Sequence, residues 1–111
     1  MQYALLIYGT ADGRRSDADR SGIDPAIAEM LTRPYVVSWA RLQDPGTATT
    51  IRDSPGTNLL VDGPFIDSKE FLGGVIVIEA VNLDAALAIA GEFQDARIDV
   101  DGGIEVRPVR G

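Results

Sequence analysis

The sequence predicts a single α+β domain. Three features carry that prediction: apolar runs of strand length near both ends, two segments that open with helix-capping residues, and a length with room for one core. With 111 residues, 45% of them apolar, folding should remove roughly two-thirds or slightly less of the extended chain's surface from water. No low-complexity run argues for disorder.

The first element is Tyr3-Ala4-Leu5-Leu6-Ile7-Tyr8, continuously apolar and ended by Gly9, which reads as a buried central strand. Residues 10–22 carry Asp12, Arg14, Arg15, Asp17, Asp19 and Arg20 with no apolar period, and so read as a solvated loop. Asp24 before Pro25 is a helix start, because the carboxylate accepts orphan N–H groups and proline lacks only a donor that needs no partner there. Ile27, Met30 and Leu31 line one face of that helix, which Pro34 should stop. From Tyr35 to Gln43, Val37, Trp39 and Arg41 alternate with Val36, Ser38, Ala40 and Leu42, the period of a second strand.

Thr47-Ala48-Thr49-Thr50-Ile51-Arg52 and Asn58-Leu59-Leu60-Val61 flank Asp53-Ser54-Pro55-Gly56, whose proline and glycine suit a hairpin turn at the edge of the fold. Residues 72–80 contain four β-branched residues in a row, Val75-Ile76-Val77-Ile78, and predict a strand covered on both faces. Asn82 caps a second helix with Leu83, Ala86, Leu87, Ala90 and Phe93 on one stripe. After a loop over residues 95–103, Ile104-Glu105-Val106-Arg107 alternates as a last strand before Pro108. The order is β, α, β, hairpin, β, α, β. Two helices cover one face of a four-stranded sheet, so its other apolar face needs a second layer. Either an identical subunit supplies it, as a homodimer, or the hairpin folds over it.

Seventeen acidic against ten basic side chains give a net charge of −7, a field that repels nucleic acid and anionic lipid. No stretch approaches the ~20 apolar residues that span a bilayer, and residues 3–8 are too short for a signal sequence. The lack of cysteine excludes disulfides and thiolate chemistry and fits a cytoplasmic protein. There is no histidine either, so proton transfer near neutral pH falls to a carboxylate, a lysine or a tyrosine. No phosphate-binding loop, dinucleotide fingerprint or nucleophile elbow is present, and no cofactor is expected.

Leu42-Gln43-Asp44-Pro45, Ala48-Thr49-Thr50-Ile51-Arg52, Asp62-Gly63-Pro64-Phe65, Ser68-Lys69-Glu70, Leu72-Gly73-Gly74 and Ile104-Glu105-Val106-Arg107-Pro108-Val109 occur in this order. In them the chain resembles the YCII-related, or DGPF, family over nearly its whole length. The resemblance implies a ferredoxin-like βαββαβ fold with an inserted hairpin, assembling as a dimeric α/β barrel. Relatives of that barrel include small-molecule lyases, isomerases and monooxygenases, and some family members are joined to sigma-factor-like regions; a fold shared so widely assigns no chemistry. The histidine and aspartate proposed as a catalytic pair in the wider family have no histidine to match here, and the region from Gly9 to Tyr35 looks shorter and more polar than the family pattern.

Asp62 reads two ways: as a base strengthened by burial in a cleft, or as a turn residue bonded to backbone beside Gly63 and Pro64. Lys69, the only lysine, would be its catalytic companion or a surface charge paired with a neighbouring carboxylate. Ser68 and Glu70 flank it as candidate ligand-binding residues. Trp39 and Arg41, on one strand face, would offer a ligand an apolar wall and a carboxylate grip, or would serve a subunit interface. Phe65 and Phe71 read as core residues. Asp17, Asp19, Ser21 and Gly22 imitate part of a calcium loop, but Ala28 stands where the closing carboxylate belongs, so no metal is expected. The function implied is an enzyme acting on a small polar organic molecule in a barrel cavity, or a non-catalytic dimeric binding module.

Overall fold

The computed structural model describes residues 1–10, 23–97 and 102–111. In chain order its elements are β1 (Gln2–Thr10), α1 (Pro25–Met30), β2 (Val36–Arg41), a single 3-10 turn (Pro45–Thr47), β3 (Thr49–Ser54), β4 (Thr57–Asp62), β5 (Glu70–Glu79), α2 (Leu83–Ala96) and β6 (Gly103–Pro108). Four strands form one antiparallel sheet in the order β2-β5-β1-β6, and β3 and β4 form a separate two-stranded ribbon. With the ribbon set aside, the strand order is second, third, first, fourth, which is the ferredoxin-like α+β arrangement that the family resemblance implied.

Both helices start where their caps dictate. The Asp24 carboxylate accepts from the Ala26 N–H at 2.8 Å, and the Asn82 side chain accepts from the Ala85 N–H at 2.9 Å. Between the helices, Arg33 donates to Glu29 at 3.0 Å, to Glu92 at 3.1 Å and to the Tyr35 hydroxyl at 3.2 Å. Glu29 first, then Tyr35, holds the guanidinium still more firmly in its charged form. At the other end of α2, Arg97 donates to the Tyr8 carbonyl at 2.8 Å, fastening the helix exit to β1.

The core lies between the helices and one face of the sheet. Tyr3 pairs with Ile78 and Leu5 with Ile76, and paired residues of antiparallel strands share a face. All four are buried with Met30 of α1 and Ala86, Ala90 and Phe93 of α2, and Ile104 and Val106 of β6 pack against them. The alanines let α2 approach the sheet closely. The buried stripe of α2 is rotated from the expected one: Leu83 and Leu87 stand 47% and 48% exposed, and Ala85, Ile89 and Ala96 take their place against the core.

The strand β2 departs from simple alternation. Its register slips between Val36 and Ser38, so Val36 pairs with Ile78 and Trp39 with Ile76. Val36 therefore shares the helix-covered face with Trp39 and Arg41, and the extra residue is a bulge. A second irregularity between Ile7 and Tyr8 carries β1 beyond its expected end, as Gly9 and Thr10 pair with Phe71 and Glu70.

The opposite face of the sheet carries Ala4, Leu6, Tyr8, Leu72, Val75 and Val77 by the same register, rimmed by Glu105 and Arg107 of β6. The hairpin does not pack extensively over this face: β3 and β4 pair with each other, and among the described residues neither makes extensive contact with another strand or helix. Its Pro55-Gly56 turn joins Ser54 to Thr57, with Gly56 at φ +80° as the turn requires. The side chains of this face are half-buried, and among the described residues no helix packs extensively on it. Nor is any described helix long and apolar enough to cross a membrane.

Leu5, fully buried at the centre of the sheet, sets the stability scale. Leu5→Ala is expected to lower unfolding free energy by about 2–5 kcal/mol, and Asn82→Ala by about 1 kcal/mol through loss of the cap. Thermal melts should show roughly 4 °C per kcal/mol for a domain of this size. Equal melting of Asn82→Ala and the parent would refute the cap assignment.

Candidate functional site

Asp62 closes β4, and the bend that follows it is braced from the hairpin. The Gly63 N–H donates to the Ala48 carbonyl at 2.8 Å, and the Thr50 hydroxyl donates to the Gly63 carbonyl at 2.7 Å. Arg52 then donates to the Phe65 carbonyl at 2.8 Å while its guanidinium carbon lies 4.2 Å from the centroid of the Phe65 ring. Gly63 itself sits at φ +105°, a conformation that a side chain would strain. Two of the motifs read in the sequence, Ala48 to Arg52 and Asp62 to Phe65, are thus the two halves of one brace. Phe65 is not a core residue as expected; it is 60% exposed and serves as the surface on which Arg52 lies.

The bracing groups and the carboxylate occupy opposite faces of the ribbon. Thr50 pairs with Val61 and Arg52 with Leu59, whereas Asp62 pairs with Thr49 and shares its face with Ile51 and Leu60. Among the described residues the Asp62 side chain accepts no hydrogen bond and forms no ion pair; it is exposed. The Asx-type turn that its position suggested is not formed, because Gly63, Thr50 and Arg52 already fix the bend.

The remaining candidates fall into two further groups. Ser68, Lys69 and Glu70 lead into β5, all exposed, with the Ser68 hydroxyl oxygen accepting from the Glu70 N–H at 3.1 Å. Lys69 has no ion pair among the described residues, so the paired-charge reading has no partner there. Glu70 lies opposite Thr10 at the end of the sheet. Trp39, 46% exposed, and Arg41 lie opposite Ile76 and Gly74, on the helix-covered face. A cavity between two open faces would be lined by Leu6, Tyr8, Val75 and Val77 instead. No hydrogen bond or ion pair joins Asp62 to Lys69, and Arg41 stands four positions along β5 from Glu70, about 13 Å of strand.

Thr50 and Arg52 are residues of the site that the sequence reading did not single out. Their signal was present in the motif that contains them, but their partners lie thirteen residues away and carry no local pattern. The Tyr8 hydroxyl on the open face, 3.5 Å from Glu105, is likewise a pairing that only the β1–β6 register reveals. The calcium-like residues Asp17, Asp19, Ser21 and Gly22 lie outside the described residues.

The brace makes a local prediction. Removing the Thr50 hydroxyl as Thr50→Val deletes about 1 kcal/mol of hydrogen bonding, so the Gly63 amide should exchange with solvent about fivefold faster. Asp62→Asn should leave that rate unchanged. Faster exchange in Asp62→Asn alone would show that the carboxylate holds the turn.

Comparison with known proteins agrees with this architecture. The family model described as YCII-related domain matches residues 1–111. A protein of Rhizobium meliloti, described as uncharacterized, is 40% identical over 118 aligned positions that cover 98% of this chain and 92% of that protein. The match of the family model over the whole length and the 40% identical relative lead to one assignment: the chain belongs to the YCII-related family.

Proposed function

We propose that the protein works as a homodimer, two copies meeting through the open faces of their sheets, and that it binds a small polar organic molecule beside Asp62. One observation carries the second part: the Asp62 carboxylate is held at the end of a braced strand and does none of the bracing. A charged group placed so firmly and left without a structural partner among the described residues is available for chemistry. With no histidine or cysteine in the chain, a carboxylate is the natural proton carrier. As carboxylate it accepts a proton from the substrate, and as carboxylic acid it returns one, ending the cycle unchanged. Lys69 supplies the positive charge that holds an anionic substrate, with Ser68 and Glu70 as polar neighbours and Arg41 and Trp39 as a further ligand-binding pair. A base of this kind gains from a water-poor setting. One chain leaves Asp62 exposed, so the cover comes from the second copy. The lack of cysteine is consistent with a cytoplasmic location.

A non-catalytic dimeric module, binding a ligand or a protein, is favoured by a different observation. Ile51 and Leu60, at 63% and 69% exposure, share the face of Asp62 and give it apolar surface of the kind that contacts other macromolecules.

A panel of small carboxylic acids, titrated against the parent, Asp62→Asn and Lys69→Ala by heteronuclear NMR, separates the two readings. The enzyme reading expects at least one acid to shift resonances around Asp62 and Lys69 in the parent, with affinity at least tenfold weaker in Lys69→Ala and turnover lost in Asp62→Asn. Binding without turnover in the parent would favour the module, and no binding by any acid would remove the proposed substrate class.

A further inference from the structure

The ribbon of β3 and β4 is an anomaly in an otherwise economical chain. Two-stranded hairpins are marginal in water on their own, and among the described residues this one has no extensive packing on another element. Ile51 and Leu60 stand opposite each other on one face; Leu59 and Val61 lie on the other. Among the described residues no strand or helix packs extensively on the Ile51/Leu60 face. The chain measures 44 × 37 × 20 Å with a radius of gyration of 15.5 Å, against about 13 Å for a compact domain of this length.

The surface area gives the same picture in other units. The chain exposes 7412 Å², while a self-sufficient folded monomer of 11.8 kDa exposes about 5,900 Å². The open sheet face does not account for the difference. Four strands about 4.8 Å apart, two of six residues and the others of 9 and 10, have a footprint of about 500 Å², well under the roughly 800 Å² that each partner gives to a standard stable interface. A dimer built on that face alone is undersized. The ribbon supplies what is missing: its strands, six residues each, reach about 20 Å, the width of a four-stranded sheet.

We infer that the ribbon is a clasp: its Ile51/Leu60 face packs on the second copy of the chain, beside the sheet-to-sheet contact, and in doing so covers Asp62 at its base. This rests on the homodimer proposed above and adds to it the part of the interface that completes the site, since Asp62 shares the clasping face. The brace by Thr50 and Arg52 then gains a purpose, holding the arm at a fixed angle to its own sheet.

The chain has no cysteine, so Leu60→Cys places one thiol on the clasping face. Its rate of labelling by a small maleimide, measured across a dilution series whose association state is followed by sedimentation equilibrium, is the first readout. The second is the dimer dissociation constant of Ile51→Thr/Leu60→Thr, which keeps strand propensity, beside Val77→Glu on the open face. The clasp predicts labelling at least tenfold slower in the dimer than in the monomer, and a dissociation constant raised at least tenfold in both variants. A dimer weakened by Val77→Glu but not by Ile51→Thr/Leu60→Thr, with the introduced thiol labelled equally fast at all concentrations, overturns the clasp and leaves the homodimer standing. A chain that stays monomeric throughout overturns both.

Discussion

Tyr3 opposite Ile78 and Leu5 opposite Ile76, along the pairing of β1 with β5, form the constraint from which the rest of the structure follows. These four side chains point to one side of the sheet, and both helices pack there because their alanine-rich and methionine surfaces fit it. Because strand side chains alternate, the same pairing commits Leu6, Val75 and Val77 to the other side. That side is apolar at its centre, with Glu105 and Arg107 at its rim, and among the described residues no helix packs extensively on it. That surface is the one on which the proposed homodimer rests.

A second constraint operates at the hairpin. The turn after Asp62 is rigid because Gly63, Thr50, Arg52 and Phe65 hold it from one face of the ribbon, and the carboxylate is presented on the other. This division of labour explains why the family motifs occur as an ordered pair separated by the hairpin tip. The tip itself, Pro55-Gly56, reverses the chain.

Much of this was legible in the sequence, where the signals are local. Asp24-Pro25 and Asn82 marked the helix starts, and Pro55-Gly56 marked the turn, because a cap or a turn is decided by residues within a few positions of each other. Features decided by distant partners were not legible. The bulge in β2 falls between Val36 and Ser38, and Val37 beside Val36 gives alternation no mark of where an extra residue enters. The phase of α2 was misjudged because leucines flank the alanine stripe on one side and Ile89 on the other, and only the sheet decides between them. Phe65 was read as core on hydrophobicity alone; a guanidinium thirteen positions earlier makes its exposure tolerable. The candidate residues themselves were found as types, but their grouping was not. Asp62 stands on the ribbon, Ser68, Lys69 and Glu70 before β5, and Trp39 and Arg41 over the helix-covered face of β2.

The central claim is that one chain is an incomplete unit. Sedimentation equilibrium of the unmodified protein at micromolar concentration tests it most directly. The account predicts a mass about twice the 11.8 kDa of the chain. A mass of one chain, unchanged as concentration rises, would contradict it and would leave the open face and the ribbon to be explained as surfaces for a different partner.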